Sequence, residues 1–290
     1  VIEQLVASSA TSLWALVGDG RVVETYDGGQ HWKVSPIAGP AVEITRGGGY
    51  VWALSCPPAT SSTSPSACGP RLWRAGIRTG VWVQVALPNI TAQAPEFDDL
   101  SISPDGDMML NVFTAGRIVT GELLISTNSG GHWRARPDPT WDRQPCTFGG
   151  MLTAASPHTF WLLCIGGAAA GSSTKGLLRT TNAGITWSLV AAAPSLTQPP
   201  AAGSIPLEEP GALAAGSPNR LWLSLTNGLA ESDNGGQTWN NVAAAFDPGG
   251  WPTVISVLDT SHAWVLAPGA GLWRTTDGQD WQAVGPLNTE

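Results

Sequence analysis

One eight-residue pattern recurs along this chain and limits what it can fold into. S/T-x-D/N-x-G-x-x-W occurs intact four times: TYDGGQHW (Thr25 to Trp32), STNSGGHW (Ser126 to Trp133), TTNAGITW (Thr180 to Trp187) and SDNGGQTW (Ser232 to Trp239). A fifth copy, TTDGQDW (Thr275 to Trp281), is one residue short. A sixth, AGIRTGVW (Ala75 to Trp82), keeps the terminal Trp but neither the acidic/amide residue nor the glycine in place. The terminal tryptophans stand at 32, 82, 133, 187, 239 and 281, a period of roughly 50 residues that marks one structural unit copied along the chain.

Two further columns share that register. Alternating apolar segments place Trp14, Trp52, Met109, Trp161, Trp222 and Trp264 at one equivalent position, and Leu5, Ile44, Leu100, Leu152, Leu213 and Ile255 lie upstream of them. Each unit reads as four short strands, A to D: strand A carries the Leu/Ile column, strand B the Trp/Met column, strand C runs into the pattern, and strand D follows its Trp. In the turn, Asp27, Asn128, Asn182, Asn234 and Asp277 fold a side-chain oxygen onto nearby backbone N–H groups, while Gly29, Gly130, Gly184 and Gly236 supply a positive φ. Trp32, Trp133, Trp187, Trp239 and Trp281 then cover the hairpin. A four-stranded unit with two apolar faces must stack on copies of itself, and radial stacking gives a propeller. The expectation is an all-β fold: a single β-propeller over residues 1–290, with six four-stranded blades at about 1–36, 37–87, 88–138, 139–193, 194–245 and 246–290. The 35 Gly and 23 Pro suit a chain of many short strands and turns.

These residues resemble the Asp-box (bacterial neuraminidase repeat) superfamily over essentially the whole chain. The regular spacing is closest in style to the non-catalytic propellers of photosystem II assembly and stability factors. That resemblance implies a box between strands C and D of each blade, and seven blades as the alternative to the six counted here. It is specific for architecture and poor for function, because sialidases, xyloglucanases and sortilin-type receptors share it. A sialidase would need a Tyr nucleophile and an arginine cluster, yet the only tyrosines are Tyr26 and Tyr50 and no F/Y-R-I-P segment is present.

Net charge and cysteines narrow the partners. At −8, acids outnumber bases, which argues against nucleic acid and favours a basic or polar partner. Cys56, Cys68, Cys146 and Cys164 lack zinc spacing and read as two local disulfides, Cys56–Cys68 and Cys146–Cys164, in an oxidising compartment. No metal and no cofactor is expected. No apolar run is long enough to span a membrane, and no export leader is visible; on the cysteines, the reading is of an exported monomer whose leader is not in this sequence: secreted, periplasmic or at the cell surface. Lysine occurs only at Lys33 and Lys175 among many arginines, a bias that points to a bacterial source.

Length variation falls on one side of the repeats. A–B turns are short, whereas the B–C loops of blades 2 to 4 and the D–A linkers are long, and long loops on a rigid frame are where function usually sits. That variable face carries TAGRIVTGE and IGGAAAGSSTKG, with Lys175 in the latter. The residues expected to meet a protein or glycan partner there are Trp141, Asp142, Arg143, Glu208, Glu209, Asp247 and Trp251. An enzyme is the alternative: Glu43 and Asp99 precede the Leu/Ile column in adjacent blades and are the candidate carboxylate pair of a glycoside hydrolase. His31, His132, His158 and His262 all fall in turns and are read as turn residues.

Overall fold

The computed structural model describes residues 2–56, 70–87, 95–114, 120–140, 146, 148–193, 203–226, 228–242, 254–267 and 271–285. Among them there is no helix. The strands form six antiparallel sheets in chain order, and the architecture is that of a six-bladed β-propeller. The chain divides into two compact units, Val1–Asp138 with Ala183–Ile185, and Pro139–Asn182 with Thr186–Glu290.

The first unit holds three blades. Blade 1 runs Ile2–Ala7, Leu13–Val17, Val22–Thr25 and Lys33–Val34; blade 2 runs Ala41–Gly47, Tyr50–Ser55, Arg71–Gly76 and Trp82–Val85. Blade 3 runs Pro95–Ile102, Met108–Thr114, Thr120–Ser126 and Arg134–Pro137. In the second unit, blade 4 runs Phe148–Ser156, Thr159–Ala169, Ser172–Thr180 and Ser188–Ala193, with Gly203–Ser204 added as a short parallel fifth strand. Blade 5 runs Pro210–Ala215, Leu221–Leu225, Gly228–Ser232 and Asn240–Asn241, and blade 6 runs Val254–Val257, Ala263–Ala267, Gly271–Thr275 and Trp281–Gly285.

Burial of the strand B column holds neighbouring blades together. Trp14, Trp52, Trp161 and Trp222 are wholly buried. Trp14 packs with Ile44, Val51 and Ala53 between blades 1 and 2, and Trp52 with Leu100 and Leu110 between blades 2 and 3. Trp161 lies with Leu213, Leu221 and Leu223 between blades 4 and 5, and Trp222 with Val265 between blades 5 and 6. The terminal tryptophans of the repeated turns differ from this column: Trp32, Trp133, Trp187, Trp239 and Trp281 are only partly buried. They cap the hairpins, two of them through the indole N–H, Trp32 to the Gly29 carbonyl at 3.0 Å and Trp239 to that of Gly236 at 3.1 Å.

The turn itself is organised by a hydroxyl. Thr25, Ser126, Thr180, Ser232 and Thr275 are each at most 1% exposed. Each donates to the Asx oxygen two residues on, at 2.8 to 3.0 Å. The same hydroxyl accepts a glycine N–H, as from Gly29, Gly130, Gly236 and Gly278. The Asx oxygen takes backbone N–H groups on the far side of the loop, such as Gln30 and His31 on Asp27 and Thr238 on Asn234. In the amide versions Nδ2 adds a bond, from Asn182 to Thr186 at 2.9 Å and from Asn234 to Thr238 at 2.7 Å. A β-carbon at Gly236 (φ 77°) would collide with Leu177 of the preceding blade, so that glycine meets both a backbone and a packing requirement.

Two outcomes follow. Trp222→Ala is expected to cost about 3–5 kcal/mol, and Trp187→Ala distinctly less because that ring is already partly in water; equal losses in urea unfolding would contradict the division of labour. The second concerns acid. Backbone N–H donation from His31 holds the Asp27 carboxyl well below its ordinary range, with the His31 ring and the Thr25 hydroxyl adding to it. Asp277 is lowered by the N–H groups of Gln279 and Asp280. A folded-state pKa below the unfolded one stabilises at pH values above about 4, and that contribution is lost as pH falls toward the folded value. Asp27→Asn with Asp277→Asn keeps the acceptor but removes the titration. The double variant should therefore show a flatter decline in melting temperature below pH 4 than the parent protein.

Candidate functional site

The strand A carboxylates come first, because they carried the enzymatic alternative. Glu43 is buried, and its Oε1 accepts the Leu100 N–H of blade 3 at 2.7 Å. Gln4 does the same one blade earlier, its Oε1 accepting the Ile44 N–H at 2.7 Å. In the second unit the Thr153 hydroxyl accepts the Ala215 N–H at 3.2 Å. These are stitches between neighbouring strand A segments, where a polar side chain satisfies a backbone donor that no sheet partner reaches. One oxygen of Glu43, the alternative catalytic carboxylate, is thus engaged by a peptide N–H. Asp99 is half-buried and stands opposite Asn111 in the strand A to strand B register of blade 3.

One segment of the variable face differs from its reading as a long loop. The segment IGGAAAGSSTKG extends strands B and C of blade 4, with a register shift between Ile165 and Ala168, and is closed by a tight turn at Ala170 (φ 53°) and Gly171 (φ 78°). Two positive-φ residues in succession match the right-handed twist of a hairpin. Lys175, expected on the surface, is wholly buried. Its ammonium donates to three carbonyls, Ser173 at 3.0 Å, Pro206 at 2.8 Å and Leu207 at 3.0 Å. Burial pushes its pKa down to about 8, with Glu209 and Glu208 acting in the opposite direction. Lys175 thereby ties the linker before blade 5 across the extended hairpin. Main-chain bonds complete the strap: Ser173 N to Leu207 O at 3.1 Å, Glu209 N to Gly171 O at 3.1 Å, and Ile205 N to Ala192 O at 3.3 Å. Glu208 and Glu209 are half-buried parts of this strap.

The Cys146–Cys164 disulfide is present, and Cys56 is disulfide-bonded. The partner expected for Cys56, Cys68, lies outside the described residues, as do Trp141, Asp142, Arg143, Asp247 and Trp251. The histidines sit in turns. The His31 ring bonds Asp27 at 2.7 Å, and the His262 ring bonds Asp259 at 2.9 Å. Among the described residues no cluster of His, Cys, Asp and Glu is arranged to hold a metal, and no helix is long and apolar enough to cross a membrane.

A concave surface among the described residues lies at the turn end of blades 1 and 2. An open basin of about 1190 Å³ is lined by the A–B turn serines Ser8, Ser9 and Ser12, by Tyr26, by Gly48, Gly49 and Tyr50, and by residues of blade 2 from Arg74 to Val83. It coincides with the one repeat that lost its pattern. Where the other turns bury a hydroxyl, blade 2 has Ala75, and the Asx position is Ile77. Arg74 lies over the Tyr50 ring at 4.7 Å and the Trp52 ring at 5.6 Å, a stacked guanidinium whose Nε is buried without a hydrogen-bond partner. Tyr26, Val81 and Val83 expose apolar surface beside it. Glu24, beneath Tyr26, is fully engaged: it accepts from Trp14 Nε1 at 3.0 Å and Tyr26 OH at 3.3 Å, and pairs with Lys33 at 3.0 Å. Burial and the Glu24 charge push the Tyr26 phenol up to about 12, so it stays neutral and cannot act as a base near neutrality.

With that geometry in view, the solved structures of other proteins can be compared. The resemblance is to known β-propellers. YCF48 bound to a D1 peptide superposes with a TM-score of 0.53 at 17% identity, over 100% of this chain and 82% of that one. YCF48 from Cyanidioschyzon merolae gives 0.51 at 13% identity, covering 97% and 96%. The β-propeller domain of the Trilobed protease from Pyrococcus furiosus gives 0.53 at 8% identity, covering 100% and 99%. At such identities the likeness is one of fold. No protein-family model matches the chain, and no curated protein sequence does.

Sequence reasoning missed the basin, although its signal was present as the decayed repeat from Ala75 to Trp82. It missed the burial of Lys175 because nothing in the residue order distinguishes a clamp from a loop lysine. The structural role of Glu43 makes a direct expectation. Glu43→Ala leaves the buried Leu100 N–H without an acceptor and should cost about 1–3 kcal/mol, whereas Glu43→Gln keeps an acceptor oxygen and should unfold close to the parent in urea. A Gln variant as unstable as the Ala variant would show that the charge, rather than the stitch, matters.

Proposed function

We propose that this protein is a non-catalytic binding scaffold that takes a peptide segment of a partner protein in the basin of blades 1 and 2. The observation that carries the reading is the unpaired, ring-stacked Arg74 beside exposed Tyr26, Val81 and Val83, where the repeat has given up its structural turn. Exposed apolar side chains grouped around a concave floor are what a partner would cover. We read the repeated turns as Asp boxes of the bacterial neuraminidase repeat superfamily, and the whole chain as one propeller of that kind. The fold likeness to a propeller solved with a D1 peptide supports a peptide as the class of ligand. The Cys146–Cys164 disulfide supports an extracytoplasmic home. The engagement of Glu43 by a backbone N–H weighs against a glycoside hydrolase.

A second surface is favoured by loop length. Strand alternation in the sequence leads us to expect the linkers with Trp141, Asp142, Arg143, Asp247 and Trp251, like Glu208 and Glu209, on the side away from the repeated turns, where they would suit a glycan or a second protein contact. A random peptide library displayed on phage separates the two. Peptides enriched on the parent protein should lose about tenfold or more in affinity for Val81→Glu/Val83→Glu, as expected when a contact centre is disrupted, and keep binding Trp141→Ala. Both valines are exposed, so the melting temperature should hold. Enriched peptides that ignore the valine variant but lose Trp141→Ala would move the site to the variable face. Glycan-array binding without any peptide enrichment would replace the peptide reading.

A further inference from the structure

We infer that the basin selects a carboxylate-bearing extended segment, with Arg74 as the reader of the carboxylate and Arg78 as a second positive charge at the rim; this rests on the basin being a peptide site. Net charge would suggest the contrary, since the chain is acidic overall at −8. Local charge decides instead. The lining contains Arg74 and Arg78 and no Asp or Glu. Glu24, beneath the lining Tyr26, is paired with Lys33 and bonded by two aromatic donors. Among the described residues neither arginine has a carboxylate partner.

Arg179 holds the same strand C position in blade 4 as Arg74 does in blade 2, opposite Trp161, and likewise sits over that indole at 5.2 Å with a buried, unbonded Nε, but it does not line the basin. Arg220 stacks on Trp222 at 4.9 Å as Arg74 does on Tyr50, but it spends its charge on Glu231 at 2.9 Å and on Asp233, and bonds the Gly278 carbonyl of blade 6. Asp233 lies in the repeated turn of blade 5, directly before the Asx residue. The decayed turn of blade 2 has Gly76 at that position, so the residue type that answers an arginine in blade 5 is absent where Arg74 needs one. A guanidinium held flat by two rings keeps its fork fixed, and a planar fork matches a carboxylate in two-point fashion. Val81 and Val83, on alternate positions at and beside the outermost strand of blade 2, give apolar contact at the two-residue spacing of an extended chain. The ligand is therefore an extended segment with apolar side chains and a carboxylate, supplied either by Asp or Glu within it or by a free C-terminus.

Three hexapeptides test this: a capped alternating Val-Glu peptide, its capped Val-Gln counterpart, and the Val-Gln peptide with a free C-terminal carboxylate. Binding would be followed by titration calorimetry and by the Arg74 Nε–H resonance. The carboxylate-bearing probes should bind about tenfold or more tightly than the capped Val-Gln peptide, weaken as salt is raised, and shift the Arg74 signal. Arg78→Gln, at an exposed position, should reduce only the salt-dependent part. Arg74→Lys, which keeps charge but not the fork, should lose most of the preference while the melting temperature reports folding. Preference for the internal Glu probe or for the terminal carboxylate names the source. Equal binding of capped Val-Glu and Val-Gln peptides would overturn the carboxylate assignment and leave the basin as a peptide site. Binding of none of the three, with the phage library also empty, would overturn both.

Discussion

A sheet that is apolar on both faces has to be covered twice, and that constraint governs this chain. Trp14, Trp52, Trp161 and Trp222 lose all contact with water only because an adjacent blade supplies Ile, Leu and Val opposite them. No single blade could hold such a side chain buried by itself. Stability therefore belongs to pairs of blades, and each of the two compact units repeats that pairwise solution within itself. The short turns, the low charge content and the regular period are what such pairing requires of a sequence.

Packing alone leaves polar backbone to be satisfied, and the chain does so with a few committed side chains. Gln4, Glu43 and Thr153 supply acceptors to strand A of the next blade. Arg220 joins the A–B turn of blade 5 to the turn of blade 6, and Lys175 gathers three carbonyls around one ammonium. Burying a charge is tolerable where every donor finds an acceptor, which is the state of Lys175. Many of the charged residues that would draw attention as chemistry are thus occupied in holding backbone, whereas Arg74 lines the basin with no carboxylate partner among the described residues.

The fold was legible because its determinants are periodic. Trp at strand B, Asx and Gly in the turn, and Leu or Ile on strand A recur in register, and each corresponds to a local physical need. The site was only partly legible, since function here sits where periodicity fails. Ala75 and Ile77 look like sequence decay until the structure shows a basin over them and an arginine without its acid. The interblade bond of Glu43 was illegible for the opposite reason. A carboxylate on an inner strand of a propeller suggests chemistry, and no residue pattern reveals that its oxygen meets the Leu100 N–H fifty-seven residues away. The hairpin extension of blade 4 was hidden because Gly, Ala and Ser are as common in loops as in a strand covered by a strap.

The repeated turn also bears on how the molecule ages. Asn234 is followed by Gly235, the pairing most prone to spontaneous loss of the side-chain amide, because an unhindered glycine nitrogen can attack the amide carbon. In the folded turn that nitrogen is donated to the Asn219 carbonyl at 2.9 Å, and the amide is held by Thr238. The nucleophile and its target are both restrained, so the chemical clock at this position runs with the opening of one hairpin. Should it run, direct hydrolysis leaves an aspartate of the kind that Asp27 and Asp277 already place in this turn, whereas the rearranged isoaspartate lengthens the backbone by one carbon and has no counterpart in the other blades. The bonds that restrain this pair run to the A–B turn at Asn219 and to Thr238 within the repeated turn itself.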